Sequence, residues 1–367
     1  MRRHLRTVFA IVLTVGLLLL FFRTANLDQV AAEIVSAKLG LLIVAVLITI
    51  GTYFLRAIRW QFLLSPIGST RLSMVFRAVV IGFAASGVLP ARAGEFLRPY
   101  LLGRWEGLSV AAAFATVLLE RLLDLVIVTV FLSLFLLLFD PNTIVAGSTV
   151  YNTLKIGGVI AGGISIAALA IIYFLAGDTE STHKILSKFE RFLPVKVSSR
   201  FRALTQRFAS GFLAIRQPVR LLQALLFSLF IWLSIATTIW LVSKSFHITL
   251  TVVDSFLLLV LLVVGVAAPT PGAVGGFHEA YRIGATNILG VPNDQAVGAA
   301  IVLHAVSFLP VILMAAVVMF RSGLYPRGVK QLVAEAANEN ELNASDPVRA
   351  VDASLEDFSN QEERIER

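Results

Sequence analysis

Apolar residues run almost unbroken in eight places along the chain. Six of the runs, at about 5 to 22, 39 to 64, 109 to 139, 155 to 176, 219 to 243 and 295 to 320, are long enough to cross a bilayer. A hydrocarbon core of ~30 Å takes roughly 20 apolar residues in a helix. The other two, 74 to 89 and 252 to 268, stop at breaks rich in Pro and Gly: Leu-Pro-Ala-Arg-Ala-Gly-Glu, and Ala-Pro-Thr-Pro-Gly-Ala-Val-Gly-Gly. Each then resumes as a short, more polar helical piece, about 94 to 106 and 277 to 290. Irregular backbone at membrane depth must be buried in protein or line a wet cavity, so the break-and-resume pattern predicts re-entrant pairs of half-helices. The expected fold is an all-α polytopic membrane protein with six spanning helices and two re-entrant hairpins.

Composition agrees with that class. The 367 residues are 57% hydrophobic and 15% charged, against about 45–50% and about 25% in soluble domains. The start, Met-Arg-Arg-His-Leu-Arg followed by an apolar run, has the basic-then-apolar look of a signal peptide. No small-x-small cleavage site follows, so a retained first helix is expected.

Charge placement orients the chain. With both hairpins re-entrant, the basic N-terminus, the stretch with Arg56, Arg59, Arg71 and Arg77, the segment 177–218 and the end with Arg321, Arg327 and Lys330 share one side. The opposite segments hold few bases. The positive-inside rule makes the basic side, with both termini, cytoplasmic, which in a bacterium is the inner membrane. Eight full spans would place several of these segments similarly. Segment 177–218 has eight bases, three acids and Phe201, Leu204, Phe208, Phe212 and Ile215 at helical spacing. It reads equally as an interfacial helix or as one packed on the protein's own cytoplasmic face. Residues 331–367 hold ten acids and three Arg; with 23 acids and 31 bases in all, 1–330 keeps 13 acids and 28 bases, a net +15. Residues 1–330 are therefore expected to form the membrane domain, suited to anionic lipid, and 331–367 a disordered acidic tail.

An internal repeat underlies the pattern, with halves at about 39–139 and 219–320. Glu95-x-x-Arg98 and Glu279-x-x-Arg282 each follow a Pro/Gly break, and Glu120 and His304 each lie 25 residues further on, all at an offset of 184. An odd number of spans separates the copies, so the repeat is inverted, a plan common to secondary transporters.

The candidate site follows from these positions. The second half-helix of the first hairpin starts near Gly94, after Pro90, and its free N–H groups with Arg92 and Arg98 suit a phosphate diester. Glu95 orients an arginine or attracts a lipid amine, or else pairs with Arg98 to permit burial. Glu120 and Asp124 share a helix face, with Arg121 beside Asp124. Eighteen residues from Leu122 to Phe139 span about 27 Å, which puts these charges at the inner edge of the core. Arg56, Arg59 and Trp60 are explained by snorkelling and an interfacial anchor; in the functional alternative Arg59 joins the headgroup cluster. Glu279 and Arg282, after Pro271 and Gly276, form the outer counterpart. His304 is a satisfied hydrogen-bonder or a proton carrier.

Several chemistries are excluded or lack support. There is no cysteine, so no thiolate metal site or disulfide. His4, His183, His247, His278 and His304 lack metal-ligand spacing, and no phosphate-loop motif is present. No metal, cofactor or nucleic-acid partner is expected.

The stretches RAIRWQFLL, LPARAGEFLRPYLL, ERLLDL and TPGAVGGFHEA, in this order, resemble the flippase-like membrane domain of bacterial lysylphosphatidylglycerol synthases and its stand-alone homologues. The resemblance covers roughly 5 to 325. It implies a translocator of aminoacylated phospholipid with re-entrant elements, and it places Arg92, Glu95, Arg98, Glu120, Arg121, Asp124 and Glu279 on family motif positions. Those synthases continue into a soluble aminoacyltransferase domain, whereas about 40 acidic-tail residues follow here. The chain is therefore expected not to make the aminoacyl lipid, and the cargo could equally be another phospholipid, a glycolipid or a polyprenyl-phosphate carrier. The expected function is a lipid flippase or scramblase rather than an enzyme, acting on a phospholipid or lipid-linked substrate in the membrane, as a homo-oligomer or beside a lipid-modifying enzyme. The rivals are a membrane-embedded headgroup-modifying enzyme, with Glu95 and Glu120 as acid and base, and a scaffold for a partner synthase or glycosyltransferase.

Overall fold

The computed structural model describes residues 2–88, 94–138, 147–175, 210–268 and 270–321. Pro90, Arg92, most of the basic segment and the acidic tail lie outside them. The described residues form α-helices with short 3₁₀ and π turns. These are α1 Arg2–Phe22, α2 Leu27–Ser36, α3 Leu39–Leu64, α4 Leu72–Val88, α5 Gly94–Glu106, α6 Val110–Leu138, α7 Gly147–Leu175, α8 Pro218–Ser245, α9 Val252–Val266, α10 Gly276–Ile283 and α11 Asn293–Arg321. Helices α3, α6, α8 and α11, of 26 to 29 residues, are long and apolar enough to cross a membrane, and α1 and α2 together form a further apolar pair bent by 83°, either a broken span or a re-entrant loop. The fold is that of a polytopic membrane protein.

Helix α2 has no counterpart in the apolar pattern, because its sequence mixes polar and apolar residues. Local capping defines it: Asn26 Oδ1 accepts the N–H groups of Asp28 and Gln29 at 3.1 and 3.3 Å, satisfying donors that a helix start leaves free. The N–H of Asn26 in turn donates to Asp294 at 2.9 Å, tying this end to the start of α11.

The interrupted runs are helical hairpins. Helices α4 and α5 pack on each other, as do α9 and α10. The close approach is made by one glycine pair in each. A Cβ added at Gly94 would lie 2.0 Å from the carbonyl oxygen of Gly82, and one at Gly276 would lie 2.4 Å from that of Gly265. The paired positions differ by nearly the repeat offset, 183 from Gly82 to Gly265 and 182 from Gly94 to Gly276. Small residues at such contacts let backbones meet at van der Waals distance. At the second break Gly272 (φ 64°) and Gly275 (φ 87°) supply the left-handed turns, which cost glycine least. Gly94→Ala and Gly276→Ala are each expected to destabilise the protein by about 1–3 kcal/mol through overpacking, measured as a lower unfolding temperature in detergent. Gly163→Ala, with nothing within 4 Å of the new Cβ, serves as the unaffected control.

The two halves also pack symmetrically. Exchanging α3 with α8, α4 with α9, α5 with α10 and α6 with α11 maps contacts onto contacts. Thus α4 packs on α11 as α9 packs on α6, and α3 touches α11 as α8 touches α6. Helices α3 and α8 form the central pair, running antiparallel, with Lys38 N–H donating to Ser245 O at 2.9 Å where their ends meet. The last part of the basic segment packs inward: Phe212, Ala214 and Ile215 are buried, and a Cβ on Gly211 would strike Ala112 O at 2.2 Å. For these residues, packing on the protein's own face describes the structure.

Candidate functional site

The polar residues of α3, α5, α6 and the start of α8 meet in one buried network. Arg59, fully buried, is its hub. Its guanidinium donates to Asp124 Oδ1, to Glu120 Oε1 and to Ser228 Oγ, the last at 2.8 Å. Arg98, 2% exposed, binds both oxygens of the same Glu120 and stacks over Trp60 at 4.2 Å from the ring centre. Trp60 Nε1 donates to Thr116 at 2.9 Å, and Trp232 Nε1 donates to Asp124 at 2.9 Å. Arg121, one-third exposed, bridges the two carboxylates at 3.6 and 3.5 Å.

The helices explain why these side chains converge. Arg59 stands five residues before the end of α3, while Glu120 and Ser228 each stand ten residues after the start of α6 and α8. At 1.5 Å per residue that is about 8 to 15 Å inside the helix ends. Glu120 and Asp124, spaced i, i+4, share one face. The charges therefore lie inside the bundle rather than on its surface: Asp124, expected near the inner edge of the core, is 4% exposed and packed among the helices. Charges at this depth are costly unless paired and hydrogen-bonded, which is what the network supplies.

A cavity of about 610 Å³ opens beside the network. Arg56, Glu95, Arg98, Arg121 and Asp124 line it, together with Tyr53 and Thr270. Three guanidiniums, of Arg56, Arg98 and Arg121, sit 4.7, 5.7 and 5.9 Å from the ring centre of Phe83, within cation–π range. Arg56 differs from the others. It is 9% exposed, yet among the described residues it forms no ion pair or hydrogen bond, so its N–H groups face the cavity. The Thr270 hydroxyl is likewise buried without a partner. Among the described residues of the cluster four arginines (56, 59, 98 and 121) stand against three carboxylates (Glu95, Glu120 and Asp124), a net +1.

The structure thus reverses two roles read from the sequence. Arg59 is consumed by internal pairing, and Arg56, assigned to snorkelling, is the cation presented to the cavity. Arg98 pairs with Glu120 across helices. The second motif does not join the cavity: Glu279 and Arg282 pair with each other, Nε to Oε2 at 2.8 Å, with Arg282 also donating to Asn293 at 3.3 Å. Neither lines this cavity; the residues expected to form its outer counterpart are held as a local ion pair on α10. His304 Nε2 contacts Gly272 O at 2.8 Å and its ring stacks on His278 at 4.6 Å and on Phe308 at 4.5 Å, pinning the second break to α11. Pro271 starts the 3₁₀ turn at that break and Gly276 starts α10. Among the described residues no cluster of His, Asp or Glu could hold a metal. Trp232 and Ser228 could not have been singled out from sequence, since a Trp and a Ser in an apolar span carry no pattern.

The residues that build this network and cavity all fall within 7–315, the part matched by the family described as lysylphosphatidylglycerol synthase TM region. The chain belongs to that family. It is also similar to two archaeal proteins named UPF0104 membrane protein. One, from Methanothermobacter thermautotrophicus, is 24% identical over 285 residues, covering 70% of this chain and 81% of the relative. The other, from Methanocaldococcus jannaschii, is 25% identical over 171 residues, 46% of this chain, and the match spans about half (48%) of that relative. The matched residues include both hairpins, three of the four long spans in full and α11 as far as 315.

Proposed function

We propose that this family member translocates a lipid with an anionic or zwitterionic headgroup across the cytoplasmic membrane, without modifying it. The observation that carries the reading is Arg56: a buried guanidinium with free donors, on the wall of a cavity it shares with Arg98, Arg121 and Glu95. Such a cation at membrane depth needs an anion, and a phosphate diester offers oxygens that match a guanidinium's paired donors. Glu95 on the same wall suits a headgroup amine. In this reading α4–α5 and α9–α10 are re-entrant hairpins: at 13 and 8 residues, α5 and α10 reach about 20 and 12 Å, short of a hydrocarbon core. The cluster lies toward the basic side, so the cavity faces the cytoplasm and the termini lie there too. The alternating state would open along the pseudo-symmetric hairpin α9–α10, with the acyl chains remaining in lipid.

Reconstitution into liposomes with headgroup- or chain-labelled phosphatidylglycerol, lysylphosphatidylglycerol and phosphatidylethanolamine tests this. The expected result is faster transbilayer movement of at least one lipid, recovered chemically unchanged. Movement no faster than in protein-free vesicles for all three, or recovery of a modified lipid, would count against translocation and for the scaffold or enzyme respectively.

A further inference from the structure

Helices α3, α4 and α11 form a wall with a different site on each side. Their inner face carries Thr49, Tyr53 and Arg56 of α3 and Ser307 and Val311 of α11 into the cavity. Their outer face is a groove of about 740 Å³, lined along α3 by Val46, Ile50 and Phe54 and along α11 by Leu309, Leu313 and Val317. It is apolar over most of its length, and the α11 residues are 52, 57 and 54% exposed. At one end the lining changes character, to Ser73, Arg77 and Arg321. Neither arginine has a carboxylate partner among the described residues; Arg77 makes only a 3.9 Å contact to Met74 Sδ.

The dimensions select the occupant. From Leu309 to Arg321 is twelve residues, about 18 Å along the helix, close to the ~15 Å depth of one leaflet's hydrocarbon. Arg321 ends α11 and Arg77 stands five residues into α4, so both are at the height where phosphates lie if the groove holds an acyl chain. A protein partner would need acidic residues to answer the arginines and an apolar helix to fill the groove; one phospholipid supplies both.

We infer that the groove is a binding site for one anionic phospholipid of the cytoplasmic leaflet. One acyl chain lies between α3 and α11, and the phosphate lies between Arg77, Arg321 and the Ser73 hydroxyl. The site is separate from the headgroup cavity and does not depend on translocation. Because the lipid would brace the outer face of the cavity wall, its occupancy couples membrane composition to that wall.

The test uses the full-length protein in nanodiscs with phosphatidylglycerol or phosphatidylcholine carrying a photoreactive group in the acyl chain. Saturable labelling of 305–321 and 46–54 is expected, displaced by unlabelled phosphatidylglycerol and not by phosphatidylcholine. Arg77→Gln with Arg321→Gln should weaken it about 30-fold, at roughly 1 kcal/mol per surface arginine. Leu313→Trp should block labelling by filling the groove with both arginines intact, and Arg56→Gln should leave it unchanged. Equal labelling by the two lipids, indifference to the arginine pair, or labels on cavity residues alone would overturn the proposal, the first two marking ordinary annular contact.

Discussion

Arg59→Ala is expected to destabilise the protein by about 3–5 kcal/mol, the cost of breaking a buried ion pair and leaving its partners charged. Arg59 alone joins Glu120, Asp124 and Ser228, and so links α3 to both α6 and α8. Without it Asp124 keeps Trp232 and the partly exposed Arg121, and Glu120 keeps Arg98 and Arg121. The residual charge is buried and underpaired. Roughly 6–20 °C should be lost from the unfolding temperature in detergent, at about 2–4 °C per kcal/mol. Arg59→Lys should recover little of it, because an ammonium is a point charge that does not reproduce the planar fork reaching three acceptors. A variant melting within about 2 °C of wild type would show that the helices are held by apolar packing and that the network is incidental to stability.

Arg56→Gln should behave in the opposite way. This side chain has no acceptor among the described residues, so its removal relieves a desolvated cation, and the unfolding temperature should hold or rise. Headgroup affinity should fall about 10- to 100-fold, the range of a charge-assisted hydrogen-bond pair of about 1.5–3 kcal/mol, read as the lipid concentration that half-saturates binding to the purified protein. Transport in liposomes should fall with it. Arg56→Lys should recover part of both, since a charge survives without the fork. Loss of stability comparable to Arg59→Ala, with lipid binding intact, would make Arg56 structural and remove the observation on which the transport reading rests.

These contrary expectations for two arginines one turn apart show what each level of description contributed. Hydrophobic runs of about 20 residues were enough to locate the long spans, because in a lipid solvent the length of an apolar helix is set by bilayer thickness and little else. The Pro/Gly breaks were enough to locate both hairpins, and the Gly82–Gly94 and Gly265–Gly276 contacts give the physical reason: only backbone without a Cβ passes that closely. The repeat was legible from Glu95 and Glu279, and the exchange symmetry of helix contacts carries it through both halves. Helix α2 was not legible, since its stability comes from the Asn26 cap and from docking on α11 rather than from an apolar run.

The site divides along the same line. That Arg98, Glu120, Arg121 and Asp124 would be paired or functional could be read from charge in apolar sequence, because such residues survive in a membrane only on those terms, and the structure pairs them. Which arginine pairs and which is left over could not. Arg56 and Arg59 are three residues apart on one helix, about 300° around its axis, and each alone looks like a snorkelling residue. Nor could the sequence separate the two Glu-x-x-Arg motifs, identical in pattern, of which Arg98 crosses to Glu120 on the next helix while Arg282 folds back on Glu279. Pairing depends on which neighbouring helix presents a carboxylate, and that is a property of the packed bundle. The chain's own order of residues determined the membrane class, the spans, the breaks and the reservoir of intramembrane charge. Only the tertiary structure decided how that charge is spent, because the ~60-residue separation of Arg59 from Glu120 and Asp124 is closed by helix packing alone.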